Sequence, residues 1–271
     1  MARTRKVTPQ ANKTPFDKYK AYSIAVQNPE VDVRFLRRVY RECVDGEPYV
    51  LREDFCAAFE LCTAWAGLGS EYKAIGLDID PEPIEYGSEK LAALSPDKRK
   101  RIKILQQDVL TARAPKVDIV CALNFSYSIF KDRPTLLSYF KRVRQGVSKH
   151  GVFIMDNFGG PYTYSANVET RRYPGFIYQF EQTYLDPLTH QARWAIHFTP
   201  KNGKRIKNAF TYDWRLWSIP ELRDLLLEAG FKDVVYYLEG TDAKGNGTGK
   251  FRWSTKGEEW GSWLSYIVGL T

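Results

Sequence analysis

The chain has 271 residues, 44% of them hydrophobic and 27% charged, with a formal net charge of +8. That length buries a sizeable core without disulfides, and the four cysteines, Cys43, Cys56, Cys62 and Cys121, lack the close-set pairs of a zinc site and suit a reducing cytoplasm. No run approaches the ~18 apolar residues needed to cross a bilayer, and the basic start MARTRKVTPQANKTP has no apolar core of an export signal, so a soluble cytoplasmic protein without a membrane partner is expected.

Residues 1–15 read as a flexible basic tail. Residues 16–48 hold a helical pair broken near Asn28-Pro29, with Val33, Leu36, Val39 and Tyr40 at helical spacing. From Tyr49 the period changes. Short runs able to be fully buried strands follow at YVL, AIGLDI, IKILQQ, VDIVCAL and GVFIMD, separated by helical stretches at 59–66, 82–94 and 134–147. Asp80-Pro81 supplies a cap and first helical residue for the second of these helices. KRKRIK at 98–103 is a solvated helix end: no aromatics are interleaved with its charges, as a nucleic-acid platform would require.

Alternating strands and helices predict a parallel sheet covered on both faces. The pattern then breaks at residues 176–215, where FIYQFEQTYL, QARWAIHFT and RIKNAFTYDWRLW are joined by the turn sequences Asp186-Pro187 and Lys201-Asn202-Gly203. A helix with a Ser218/Glu221 capping box and a Gly230 stop follows, then strands at VVYYLEG and LSYIVGL around a Gly-rich loop, TDAKGNGTGKF. The prediction is an α/β, doubly wound, mostly parallel seven-stranded sheet, with an antiparallel β meander inserted as a lid over residues 160–215 of a 16–271 domain. The meander is also where an oligomer contact is compatible with the pattern.

Ligands of open parallel sheets lie at the carboxyl ends of the strands. Those ends are polar here: Glu53, Asp78, Asp108, Asn124 and Asp156. Asp78 follows Glu53 at the spacing of an acid that accepts from ribose hydroxyls, yet the Gly-x-Gly-x-x-Gly turn that admits a pyrophosphate is absent. A nucleoside cofactor without phosphates needs acids for the ribose, the adenine amino group and an amino-acid tail, and S-adenosylmethionine fits that need, its sulfonium suited also to aromatic faces.

The segments AVQNPEVDVRFL, LREDFC, GLDIDPEPIEYG, LNFSYSIF, MDNFGGP, AFTYDWRLW with ELRDLLLEAGF, and WLSYIVGL together resemble the class I S-adenosylmethionine-dependent methyltransferases with a Rossmann-like fold, in particular a bacterial branch of them. The resemblance implies cofactor contacts at Glu53, Phe55, Cys56, Ala57, Asp78, Ile79, Asp108, Val109, Asn124 and Phe125. Glu53 would sit near the methionyl amino group, Asp78 at the ribose, Asp108 near the adenine, and Asn124 to Tyr127 beside the methyl. Where that branch reads Phe-Cys-Gly-Thr, this chain reads Phe55-Cys56-Ala57-Ala58. Alanine where the backbone needs a positive φ costs roughly 1–2 kcal/mol.

Methyl transfer relies on positioning and exclusion of water, with a base needed only to take a proton from the acceptor. Tyr127, Asp156 and Tyr212 are the expected proton-handling residues, whereas His197, alternating with Trp194 and Phe198 in a strand, reads as structural. The aromatic meander points to a small-molecule acceptor and no metal. The alternatives are a nucleic-acid methyltransferase, which draws on the basic charge, and a non-catalytic binding protein, which draws on Ala57 and Ala58.

Overall fold

The computed structural model describes residues 15–243, 245–258 and 261–271. The basic tail expected at the start of the chain thus falls, up to residue 14, outside the described residues. Helix α1 (Lys18–Ala25) is capped by the Asp17 carboxylate, which accepts from the Lys20 N–H at 2.9 Å. Helix α2 (Pro29–Cys43) starts on its proline and buries the predicted stripe Val33, Leu36, Val39 and Tyr40. The alternating region follows as β1 (Val50–Asp54), α3 (Glu60–Ala66), β2 (Lys73–Asp78), α4 (Pro81–Ala92), α5 (Pro96–Lys100), β3 (Ile102–Gln106), β4 (Val117–Ala122), α6 (Arg133–Gly146) and β5 (Val147–Gly159). Next come β6 (Asn167–Tyr173), β7 (Phe176–Gln182), β8 (Gln191–Pro200) and β9 (Ile206–Arg215), then α7 (Ile219–Glu228), β10 (Asp233–Thr241), β11 (Gly247–Ser254) and β12 (Trp263–Leu270). Both predicted caps form: Asp80 accepts from the Glu82 N–H, and Ser218 and Glu221 make the reciprocal box. Among the described residues no helix is long and apolar enough to cross a membrane.

The large sheet runs β11-β10-β12-β5-β4-β1-β2-β3. Pairings from β3 to β5 are parallel, and β12 enters antiparallel between β5 and β10. Strand alternation feeds two cores, one on each face. On β5, Phe153 and Met155 join Leu136, Phe140, Leu222 and Leu226 beneath α6 and α7, while Val152 and Ile154 join Leu36, Val39, Leu61 and Trp65 beneath α2 and α3. The doubly wound expectation holds, with one strand added. The segment read as a Gly-rich loop is in large part β11, an outer strand whose glycines and exposed side chains hide it from a hydrophobic-run reading.

The inserted segment is a separate antiparallel sheet in the order β6-β7-β8-β9. Its first strand, NVETRRY, was not among the predicted runs because its side chains are almost all exposed. One face of this sheet carries Tyr178, Phe180, Trp194, Ile196, Phe198 and Tyr212, and the other carries Gln179, Glu181, His197 and Thr211. The aromatic face packs on α1 and on the ends of the parallel strands, where Phe158 meets Phe125 at 4.6 Å and Trp194 at 6.0 Å between ring centroids. The meander therefore overhangs the carboxyl ends of β4 and β5.

Candidate functional site

Strand β1 delivers two acids to opposite faces. Arg52 and Asp54 point toward α6, where the guanidinium grips the carboxylate in a bidentate pair of 2.8 and 2.9 Å and the Tyr139 hydroxyl donates to Asp54 at 3.0 Å. This buried network belongs to the core, and Gly146 leaves the room it needs: a Cβ there would collide with Arg52. Glu53 points the other way. Its carboxylate is 5% exposed and accepts from the Cys62 thiol at 3.2 Å. Burial pushes it up to about 8, with Asp32 and Asp78 adding negative charge nearby.

The turn after β1 takes left-handed backbone at three alternate residues, none of them glycine: Phe55 (φ 62°), Ala57 (φ 45°) and Phe59 (φ 47°). Each costs roughly 1–2 kcal/mol in that region. Full burial of the Phe59 ring offsets this by about 1.5–3 kcal/mol, and the half-buried Phe55 ring by less. Phe55 packs between Phe130 and Tyr139 in one core, and Phe59 enters the other against Gly87 of α4, where a Cβ would lie 2.6 Å from the ring. The polar backbone is tied to β2: Cys56 N–H donates to the Leu77 carbonyl at 2.9 Å and Ala57 N–H to Asp78 Oδ2 at 2.8 Å. Gly76 lets β2 approach, since a Cβ there would sit 2.7 Å from Cys56 Sγ.

The next strand ends are similarly fixed. Asp78 also accepts from Asp80 N–H at 2.9 Å, and Ile79 beside it is 65% exposed. Asp108 accepts from Leu110 N–H at 2.9 Å, with Val109 buried behind it. After β4, Asn124 (φ 56°) and Phe125 (φ 58°) form a second left-handed turn. Both of their N–H groups donate to the Asp156 carboxylate, each at 2.8 Å. Burial raises Asp156 to about 7 against the pull of these donors, with Asp32 contributing repulsion. Asp32 itself, in the first turn of α2, is raised to about 6 by burial.

Asp32 and the turn after β4 with its Asp156 clamp border a cavity of about 750 Å³. Its floor is Asn124, Phe125, Asp156 and Phe158, its roof is Tyr178, Phe180, Tyr212 and Trp214 from the meander, and α1 contributes Tyr22. Asp32, Glu169 and Glu239 also face it, against the guanidinium of Arg171, which is paired with Glu169 at 2.7 Å. Tyr212 stacks on Trp214 at 4.4 Å and its hydroxyl interacts with that of Tyr22. The space is thus aromatic in its walls and acidic in its polar groups, an environment that selects for cations.

No family model matches this chain, and no curated protein matches it in sequence. In structure it is similar to DesVI of Streptomyces venezuelae, with a TM-score of 0.69 at 15% identity over 95% of this chain and 99% of that one. It is similar also to the SAM-bound amino pentose methyltransferase CalS10 of Micromonospora echinaspora (TM-score 0.67, 12% identity, 97% of this chain and 100% of that one). A third is an S-adenosylmethionine-dependent methyltransferase of Clostridium acetobutylicum (TM-score 0.62, 17% identity, 93% and 97%). The chain has the fold of the class I S-adenosylmethionine-dependent methyltransferases.

Within this methyltransferase fold the expected site residues separate. Glu53, Phe55, Cys56, Ala57, Asp78, Ile79, Asp108 and Val109 line up along the ends of β1, β2 and β3, and Asn124, Phe125, Asp156 and Tyr212 border the cavity. Tyr127 does not join them. It is fully buried, and its hydroxyl donates to Asn157 Oδ1 at 3.0 Å while Asn157 donates to the Trp217 carbonyl, so it pins β5 to the start of α7 and is no proton acceptor. Tyr212 faces the cavity, but burial pushes its phenol well above the ordinary value, which makes it a hydrogen-bonding group and not a base. His197, on the far face of the meander, bonds Glu181 at 2.8 Å and accepts from Asn208 N–H, as a structural residue does. Sequence reasoning missed Asp32 and Tyr22. An acid in the first turn of a helix reads as a dipole partner, and a tyrosine in a short helix as packing.

Proposed function

We propose that the protein is an S-adenosylmethionine-dependent methyltransferase whose acceptor is a small molecule bearing an amine. The observation that carries this reading is the convergence of Asp32 and Asp156, both raised by burial, on an aromatic cavity at the ends of the parallel strands, with Glu53 buried close enough to Asp32 to feel its charge. These residues suit the cofactor: a sulfonium and an ammonium favour aromatic faces and ionised carboxylates, whose buried charge they would offset, the Asp78 carboxylate suits ribose hydroxyls, and exposed Ile79 offers an apolar surface for a base. Bound S-adenosylmethionine supplies an electrophilic methyl group. Neighbours in structure include a sugar N-methyltransferase, KedS8, and an amino pentose methyltransferase.

The chain's own residues have three tasks. Asp156 takes the proton that an ammonium must lose before its nitrogen lone pair can attack, a role suited to a carboxyl near 7. Tyr22 and Tyr212 orient the amine through their hydroxyls, and the meander excludes water. Calorimetric titration with S-adenosylmethionine and its demethylated product tests the cofactor reading. Asp78→Ala, which removes two charge-assisted ribose contacts, is expected to cost about 2–4 kcal/mol of binding. Equal affinity of parent and variant excludes that placement, and no binding by the parent favours the non-catalytic reading. A panel of amino sugars and their hydroxyl counterparts, followed by mass spectrometry for a gain of one methyl, then tests the acceptor class; methylation of the hydroxyl compounds alone would reject the amine.

A further inference from the structure

We infer that the acceptor is a dication: a small molecule whose second ammonium group, roughly 8 Å from the nitrogen that is methylated, is held by Glu239 at the far end of the cavity. The inference rests on the methyl-transfer reading and names the acceptor class within it.

The cavity occupies one half of the large sheet. Glu53, Asp78 and Asp108 stand at the ends of β1, β2 and β3, on one side of β4, whereas β5, β12, β10 and β11 lie on the other. From Asn124 and Asp156 the cavity runs along this second half, by way of Tyr266 on β12, to Glu239 on β10 and the glycines of β11. Tyr266 is the register partner of both Asp156 and Tyr237, and Glu239 follows two residues after Tyr237 on the same face. Two strand spacings and two residues therefore separate Glu239 from Asp156, about 12 Å between Cα atoms. The Tyr266 phenol, pushed up by burial, also feels Asp156, Asp32 and Glu239, as a group standing between the two ends does. With an ammonium inside each of the two outer carboxylates, the nitrogens fall roughly 7–9 Å apart. A cofactor at the ends of β1 to β3 lies four strand spacings or more from β10, roughly 19 Å, so Glu239 is out of its reach.

Glu239 is held in place by backbone and left without a counter-ion. Its Oε1 accepts from the Gly249 N–H at 2.7 Å, offered from left-handed backbone at φ 68°. Gly247 leaves room for the carboxylate, since a Cβ there would lie 2.5 Å from both oxygens. Oε2 takes no hydrogen bond, and no cation pairs with Glu239 among the described residues. Arg38 of α2 turns instead to the Phe251 carbonyl at 2.8 Å and to Glu42. Arg171, the cation among the described residues lining the cavity, is neutralised by Glu169. A half-buried carboxylate beside the Phe251 and Tyr266 rings, themselves 4.7 Å apart, is a site that an ammonium satisfies through both charge and ring faces. The reacting amine meets Asp156, and the cofactor's own cations lie nearer Glu53 and Asp32. Glu239 is the acid left over, and a monoamine leaves it unmatched.

Three probes share a primary amine and differ at the far end: diaminohexane carries a cation there, hexylamine nothing and aminohexanoate an anion. Each is titrated calorimetrically into the full chain, with and without the demethylated cofactor. The parent should bind diaminohexane at least about tenfold more tightly than hexylamine, and aminohexanoate more weakly than either. Diaminoethane, too short to reach both carboxylates, should lack the advantage. Glu239→Gln keeps an oxygen for the Gly249 N–H and should bring the diamine preference to within about twofold, while Glu239→Lys should turn it toward aminohexanoate. Competition between the probes for methylation, read by mass spectrometry, should follow the same order. No detectable binding of the diamine, equal affinity for diamine and monoamine, or a preference that survives Glu239→Gln would overturn the inference. A parent that methylates amines without this discrimination loses the dication and keeps methyl transfer; one that discriminates through Glu239 but binds no cofactor keeps the cation site and loses methyl transfer.

Discussion

The turns after β1 and β4 stand side by side at adjacent strand ends, and both hold non-glycine residues in left-handed backbone. They are held by different forces. Phe55 and Phe59 anchor the first by driving their rings into the two cores on either side of the sheet. The second is clamped by one carboxylate, Asp156, which accepts both of its N–H groups. Apolar anchoring is indifferent to pH and leaves the backbone free of charge, while a carboxylate clamp places an ionisable group at the cavity and makes the turn's geometry depend on its state. A glycine-free turn is therefore compatible with a functional site when the strain has been met by burial elsewhere.

The largest way to break this contrast is Phe59→Ala. It removes a ring that is 1% exposed and opens a void against Gly87, so unfolding by denaturant should show a loss of about 3–5 kcal/mol. Asp156→Ala breaks the other turn by leaving two N–H donors without their acceptor, with a loss of about 2–4 kcal/mol. Turnover should fall more steeply than stability, which a comparison of activity with fraction folded would reveal.

The pH response separates the two turns further. Asp156 has a folded pKa raised from 3.8 to about 7, so between those values the native state binds more protons than the unfolded chain. Its contribution is complete below the unfolded value and is lost as pH rises through the folded one. Asp32 and Glu53, raised to about 6 and about 8, act in the same direction. Thermal melts of the ligand-free protein should thus show lower stability at pH 8 than at pH 5, and Asp156→Asn should flatten the slope while Phe59→Ala leaves it unchanged. A melt that is flat over this range in the parent would contradict the raised carboxyls.

Ala57→Gly should have the smallest effect. The alanine already holds φ 45°, and its N–H already reaches Asp78, so the strain is met in the folded protein before any ligand arrives. Glycine relieves about 1 kcal/mol of strain but costs a similar amount in chain entropy. Stability should shift by less than about 1 kcal/mol. Cofactor affinity should tighten by about tenfold only if the methyl group also obstructs the ligand; side-by-side titration of the two proteins decides this.

Much of this architecture was legible in the residues. The change of period at Tyr49, the caps at Asp80 and Ser218, and the polar residues at the ends of the first four strands are local signals, carried by residues close in sequence, whereas Asp156, expected to end the fifth strand, lies inside β5 because pairing with β12 carries that strand on to Gly159. Strand β6 and strand β11 were not, because an outer strand has few neighbours to bury against and can be polar or glycine-rich throughout. The sequence by itself determined the order of elements, and the alternation that must separate Glu53 from Asp54. Only the tertiary structure decided that Asp54 is neutralised by Arg52 while Glu53 is held by the Cys62 thiol on the opposite face, that Tyr127 is consumed by the core, and that Asp32, more than twenty residues before the end of β1, borders the cavity. The physical reason is that period-two alternation assigns residues to faces but not faces to environments. Those environments are created by helices and an inserted sheet that arrive from distant parts of the chain.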